Sequence, residues 1–317
     1  MLGDGADPCH HRISGLQAGL SLMFRIFAFA IGAIVFSTAA PAATILIEDV
    51  TVIDGTGAPP SPGMSVLIGD GEIIGIGKAT LAAPDDARRI DGAGKFLTPG
   101  FIDTHVHLRG AWGDDQKRKP RDAAREGEAA LASYLYAGVT SLYDAGNDPD
   151  FILSLRDRER KGEIAAPRIF ATGGIVTYPG SHGGGPGATL VDSWPEAIPA
   201  ITAHAARAPD VVKFTLEERG WGARPLIPML PIDLLQRLIE FYNDNGVRTT
   251  VHTSSELRAR EAIFAGVDTL AHPVIQGPIS DDFSRLMSAK KIPMSTTLTI
   301  GENYSRLAEN PEYLDQP

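Results

Sequence analysis

Cysteine is nearly absent from this sequence. One occurs in 317 residues, Cys9, and it lies ahead of an export-type segment. A disulfide framework is therefore excluded, and so is a cysteine-ligated zinc site. Any metal must be held by histidine, carboxylate or a less usual ligand. Positive charge is also short, with a formal net charge of −10. That balance excludes a generally basic face of the kind a phosphate backbone requires, so no nucleic-acid partner is expected. No apolar run reaches the roughly 20 residues that span a bilayer. What remains is ordinary for a globular chain, with 43% hydrophobic and 21% charged residues, enough for a sizeable core.

Residues 1–43 read as leader and signal peptide. Arg25 supplies a short basic start, Ile26 to Phe36 an apolar run, and Ala40-Pro41-Ala42 a small-x-small cleavage pattern. The expected signal is about 23–42, which places the mature protein in the periplasm or outside the cell. No stable membrane span is expected after cleavage. Residues 1–22 precede that start without periodicity, and Met23 is the expected true beginning. The adjacent His10 and His11 are not taken as a metal pair.

From 44 to 96 short strands alternate with turns. Ile45 to Ile53, Ser65 to Ile68 and Glu72 to Ile76 are the expected strands, with a hairpin at Gly69-Asp70-Gly71. This is read as a small, incomplete β-sandwich portion. From 97 to 317 the rhythm becomes strand, loop, helix. Expected strands are Phe101–His107, Thr140–Asp144, Arg168–Ala171, Val211–Thr215, Arg248–His252, Thr269–His272 and Met294–Leu298. Helices are expected over Ala123–Tyr136, Pro149–Lys161, Ile232–Asn243, Glu256–Phe264 and Asp281–Lys290. Alternation of this kind gives βαβ units and a parallel sheet. No Gly-rich phosphate loop follows the first strand, as an open nucleotide-binding sheet would need. The fold class is α/β, a TIM-type (β/α)8 barrel truncated after about its seventh strand.

Chemistry gathers at the expected strand ends. His105 and His107 stand at i and i+2, on one face of a strand. Two imidazoles there make either a half-site for a divalent metal or a satisfied structural pair. Lys213 lies among apolar residues of the fourth strand. Burial disfavours its ammonium, and a neutral amine can add CO2 to give a carbamate. His252 and His272 end the fifth and sixth strands. Each alone reads as an interior histidine; the coincidence of all five favours metal. Asp103 and Asp144 are placed to orient backbone or a ligand histidine. His182 and Tyr178, in a long Gly-rich loop, are candidate substrate contacts. His204, in an Ala-rich helical stretch, is expected to be exposed.

The sequence resembles the amidohydrolase superfamily, in its imidazolonepropionase-like and Xaa-Pro dipeptidase-like branch. The resemblance rests on Val52-Ile-Asp-Gly-Thr-Gly, Thr98-Pro-Gly-Phe-Ile-Asp-Thr-His-Val-His, Ala137-Gly-Val-Thr-Ser-Leu-Tyr-Asp, Val211-Val-Lys, Val251-His-Thr and Ala265-Gly-Val-Asp-Thr-Leu-Ala-His. It implies two divalent metal ions, usually zinc. His105 and His107 would hold one and His252 and His272 the other. A CO2-derived carbamate on Lys213 would bridge the two, together with a hydroxide. The implied activity is hydrolysis of a C–N bond in an amide, dipeptide or cyclic amide. The partner is a small-molecule or short-peptide substrate, with a homo-oligomer open. Alternatives are a deaminase, an ester or organophosphate hydrolase, or an inactive fragment or scaffold. The deaminase pattern wants a Glu three residues after the fifth-strand histidine, where this chain has Ser255. The family also places an Asp at the end of an eighth strand. The sequence ends at Pro317 without it, so residues 43–317 alone are expected to be insoluble or inactive.

Overall fold

The computed structural model describes residues 44–78, 80–108, 120–219 and 225–312. The leader and signal segment, with Cys9, His10 and His11, lies outside the described residues. Among those described, no helix is long and apolar enough to cross a membrane. Contacts divide the chain into two compact units. Of the described residues, one unit holds 44–52 with Ser61–Phe96, and the other holds Ile53–Pro60 and those from Leu97 onward.

Among the described residues, the first unit is a five-stranded sheet. Strands β1 (Ile45–Val52), β2 (Ser61–Gly69), β3 (Glu72–Gly77) and β4 (Arg88–Asp91) run in the order β3-β2-β1-β4, and β5 (Phe96–Leu97) also pairs with β1. The β2–β3 hairpin turns at Asp70 and Gly71, both with positive φ of 51° and 80°, the backbone of a primed turn that matches strand twist. Leu46, Val50 and Val66 are buried on the sheet, whereas Ile73, Ile74 and Ile76 of β3 are exposed. Two very short strands, β4 and β5, escaped the sequence reading because they carry no alternating run.

The second unit alternates strand and helix. In order it comprises β6 (Phe101–Val106), α1 (Pro120–Tyr136), β7 (Val139–Asp144), α2 (Pro149–Arg160), β8 (Arg168–Ala171), β9 (Ile175–Thr177), β10 (Thr189–Leu190) and α3 (Trp194–Ala205). It continues with β11 (Val211–Thr215), α4 (Ile232–Asp244), β12 (Arg248–His252), α5 (Glu256–Phe264), β13 (Thr269–Leu270), α6 (Asp281–Lys290) and α7 (Leu298–Glu309). The strands form two parallel sets, β6-β7-β8 and β10-β9-β11-β12-β13. Asp210 N–H donates to Ala171 O at 2.9 Å and Lys213 N–H to Thr172 Oγ1 at 3.0 Å, linking the end of β8 to β11. The far ends of the two sets also meet. His105 Nδ1 bonds Ala271 O at 2.9 Å, and Ser295 Oγ bonds Thr104 O at 3.2 Å. No ladder joins β6 to β13 among the described residues.

The expected seventh strand, Met294–Leu298, is reduced to one bridge between Leu270 and Met294. Thr297 has φ of 38°, outside any extended conformation, and α7 starts at Leu298. The helix thus takes the end of the segment that was read as strand.

Packing explains why β11 and β12 sit centrally. Val212, Phe214, Leu216, Leu235, Leu238, Tyr242, Val251 and Ile263 are buried in one cluster between these strands and α4 and α5. A second cluster joins Val106, Leu131, Leu142, Ile152, Leu155 and Ile169. Each such side chain contributes about 1.5–3 kcal/mol by leaving water. His204 is buried, not exposed: its Nδ1 accepts from Tyr242 OH at 2.8 Å and its Nε2–H donates to Thr172 O at 3.0 Å. The helix turns Ala197, Ile201 and His204 inward, and the imidazole sits edge-on to the Tyr242 ring.

Candidate functional site

Period two along β11 sets the site. Val212, Phe214 and Leu216 feed the apolar cluster, so Lys213, Thr215 and Glu217 share the opposite face. Lys213 is 2% exposed. Its Nζ donates to His105 Nε2 at 3.2 Å. Burial lowers the amine to about 7, partly opposed by the Asp144 carboxylate. A large neutral fraction is therefore present at physiological pH.

Two of the four imidazoles owe their orientation to main-chain carbonyls. His105 donates from Nδ1 to Ala271 O at 2.9 Å, and His107 from Nδ1 to Gly146 O at 2.7 Å. A carbonyl can only accept, so Nε2 carries the lone pair in both rings. Asp103 accepts from His105 N at 3.1 Å. Asp144, fully buried, accepts from Gly146 N at 3.1 Å, Leu108 N at 2.9 Å and Asn147 Nδ2 at 3.0 Å. Burial pushes its carboxyl up, although those donors and Lys213 oppose the shift. It ties the turn that supplies the Gly146 carbonyl to the backbone beside His107. At Gly146, whose φ is 155°, a Cβ would fall 2.8 Å from the Ile175 side chain, which would have to shift to admit it.

His252 and His272 are buried at 1% and 3% exposure. The His105 and His272 ring centres lie 4.3 Å apart, those of His252 and His272 4.6 Å, and those of His105 and His107 5.3 Å. His272 Nδ1 and Thr297 Oγ1 share a 3.2 Å hydrogen bond. All four rings are held neutral. Burial is the main cause, reinforced by Lys213 and by one another: His105 falls to about 2, His107 to about 4, and His252 and His272 lie well below the usual range.

The five residues singled out at strand ends are thus brought together, four as neutral imidazoles and Lys213 as a buried amine lowered to about 7. That donor set suits a borderline divalent ion such as zinc. Among the described residues, no three His, Cys, Asp or Glu side chains already stand as a metal cage. The Lys213–His105 hydrogen bond is one contact that would open for an ion to reach the His105 lone pair.

His182 reaches the same place from the loop between β9 and β10. Its ring stacks on His252 with centres 4.3 Å apart and planes 22° apart. Its carbonyl accepts from Thr177 Oγ1 at 3.2 Å and Thr215 Oγ1 at 2.7 Å, which pins the loop to β9 and β11. Tyr178 is partly buried and packs against the apolar cluster of β11 and β12.

Glu217 is the site residue that the sequence reading missed. It is 1% exposed. Its Oε1 accepts from Arg219 N at 2.8 Å, and its Oε2 lies 3.7 Å from His252 Nε2. Burial would raise this carboxyl, but the neighbouring His252, Ser254 and Arg219 N–H outweigh it and hold it low. It lies two residues past the end of β11, so the alternation Lys213, Thr215 reaches it only if carried beyond the strand.

A family model described as "Amidohydrolase family" matches residues 96–311. A deacetylase of Agrobacterium fabrum is 38% identical over 108 residues, which is 33% of this chain and 23% of that protein. The chain therefore matches less than a quarter of that curated relative's length. Among solved structures, a prolidase complexed with N-methylphosphonate-L-proline superposes with a TM-score of 0.72 at 23% identity, covering 87% of this chain and 70% of the other. A Xaa-Pro dipeptidase with bound methionine gives 0.71 at 21% identity, covering 84% and 70%. At these identities the two structures speak for the fold.

Proposed function

The chain belongs to the amidohydrolase family, and from that premise we propose that it hydrolyses a C–N bond at a two-metal centre. The centre is built from His105, His107, Lys213, His252 and His272. The carrying observation is the gathering of four neutral imidazoles around a buried amine whose pKa is lowered to about 7. His105 and His107 would hold one ion, and His252 and His272 the other. Lys213 would complete the donor set as its carbamate, formed by adding CO2 to the neutral amine with loss of a proton. Bound metal supplies a water-derived nucleophile near neutral pH and polarises the scissile carbonyl. The carbonyls of Ala271 and Gly146 fix the tautomers of His105 and His107, and Asp144 fixes the Gly146 turn. His182 lines the approach to His252, where it can touch substrate.

The fold likeness to a prolidase and a Xaa-Pro dipeptidase favours testing dipeptides first, then N-acyl amino acids and cyclic amides. A deaminase reading gains nothing from the structure. Ser255 caps α5, its side chain accepting from Arg258 N. Glu256 is engaged with Arg260 and accepts from Ser280. The proposal includes export, on the strength of the segment about 23–42.

Metal analysis of the full chain with a substrate panel tests the function. About two divalent ions per chain, with hydrolysis lost together with metal in His105→Ala, is expected. Hydrolysis unaffected by chelation, or a chain that takes up no divalent ion, overturns it. N-terminal sequencing of exported protein tests the localisation.

A further inference from the structure

We propose that Glu217 is a positioning residue for His252, its carboxylate setting which ring nitrogen His252 turns toward the metal centre. The inference rests on the reading of His252 as a metal ligand. It begins from an unusual neighbourhood. The other three rings of the cluster present Nδ1 to neutral oxygens, those of Ala271, Gly146 and Thr297. His252 instead presents Nε2 to an anion, Glu217 Oε2, at 3.7 Å, with both side chains 1% exposed.

A carboxylate removed from water is costly unless donors compensate. Oε1 has the Arg219 N–H at 2.8 Å. Oε2 makes no hydrogen bond within the normal limit; the His252 ring edge faces it at 3.7 Å, and Ser254 is the other side chain that helps hold the carboxyl low. Arg258 pairs with Glu218 and Glu261, and Lys213 Nζ turns to His105. Thr215, between Lys213 and Glu217 on the same face of the chain, bonds the His182 carbonyl.

Two restraints then act on one ring. The His182 stack, 4.3 Å away and nearly parallel, fixes the ring plane. The carboxylate fixes its direction within that plane. An Nε2–H directed at Glu217 leaves Nδ1 as the lone-pair atom, opposite to His105 and His107. A buried anion beside a ligand's N–H also raises the basicity of the ligand, the usual effect of a carboxylate behind a metal-bound histidine.

The test uses the full chain and four variants: Glu217→Gln, Glu217→Asp, Glu217→Ala and His252→Asn. Long-range 1H–15N spectra of the metal-free protein report the His252 tautomer, and zinc competition against a chromophoric chelator reports affinity. The wild type is expected to show the Nε2–H form. Glu217→Gln should mix the tautomers and weaken one of two zinc ions by about 10–100-fold. Glu217→Ala should do so more strongly, and Glu217→Asp should recover part of the loss. An unchanged tautomer and affinity in Glu217→Gln, while His252→Asn loses an ion, overturns the role of Glu217 and leaves the proposed function standing. Loss of an ion with the tautomer unchanged makes Glu217 a ligand and also overturns the proposal. A wild type that takes up no zinc defeats the functional reading; the tautomer of the metal-free ring still decides the Glu217–His252 pairing.

Discussion

The two halves of the site are held by different means. Lys213 and His252 stand on β11 and β12, strands buried nearly end to end, with Val212, Phe214 and Val251 sealed in the larger apolar cluster. His105 and His107 stand on or just past β6, where Phe101 and Ile102 are 61% and 68% exposed and Val106 is the strand's buried residue. The backbone of the first pair is placed by close packing. The second pair is placed by hydrogen bonds donated to Asp103, Ala271 O and Gly146 O. Packing fails all at once, when a cavity opens; a hydrogen-bond scaffold fails locally. Damage to the β11 side should therefore unfold the unit, and damage to the β6 side should loosen metal while leaving the fold.

The largest effect is expected from Phe214→Ala. The ring is fully buried, and its removal should cost about 3–5 kcal/mol of stability, read by urea unfolding. Phe101→Ala, at the exposed end of β6, should stay within about 0.5 kcal/mol. Equal losses at the two positions would erase the contrast between the halves.

Asp144→Ala comes next. It strips the N–H groups of Gly146, Leu108 and Asn147 of their acceptor. Stability should fall by about 1–3 kcal/mol, and zinc affinity by about 10–100-fold through the loosened His107 contact. A variant that loses stability and keeps full affinity would show that His107 does not depend on this turn.

How far the sequence could foretell this division is uneven, for physical reasons. The bounds of β8, β11, β12, α5 and α6 follow from local signals. Ser255 and Ser280 cap their helices with side-chain acceptors, and the β-branched runs of β11 and β12 end at polar residues. The five donor residues were legible because strand ends concentrate them. Their supports were not, since the Ala271 and Gly146 carbonyls are main-chain groups with no signature of their own. Burial of His204 depends on Tyr242 and Thr172, 38 and 32 residues away, and an Ala-rich helix says nothing of that. The Met294–Leu298 run looks extended by composition, yet Thr297 turns into the left-handed region and starts α7. Glu217 lies two residues beyond its strand, where alternation is no longer expected to hold.

A gentler probe of the packed half is pH. The buried Lys213 amine titrates near 7, displaced from its usual 10.5 by burial. At fixed dissolved CO2, the neutral fraction should rise from about one tenth at pH 6 to about nine tenths at pH 8. A 13C carbamate resonance, absent in Lys213→Ala, should grow more steeply than that fraction, because adding CO2 to the neutral amine releases a proton. An amine that reacts only above pH 10 would mean that Lys213 is solvated, and that β11 is looser than its contacts imply.

The smallest effect is expected at Thr297, where the two modes of support meet. A β-branched residue at φ of 38° carries strain of about 1–2 kcal/mol. Its hydroxyl lies 3.2 Å from His272 Nδ1, so the strain accompanies a contact to the cluster. Thr297→Gly relieves the backbone but adds freedom to the unfolded chain, worth about 0.4–1 kcal/mol. The two nearly cancel, and net stability should move by less than about 1 kcal/mol. Thr297→Ala keeps much of the strain and, like the glycine variant, removes the hydroxyl. If the hydroxyl orients His272, both variants should weaken zinc by the same few-fold factor while differing in stability. If zinc affinity instead follows stability across the pair, His272 is placed by packing, and it belongs with the β11 half of the site.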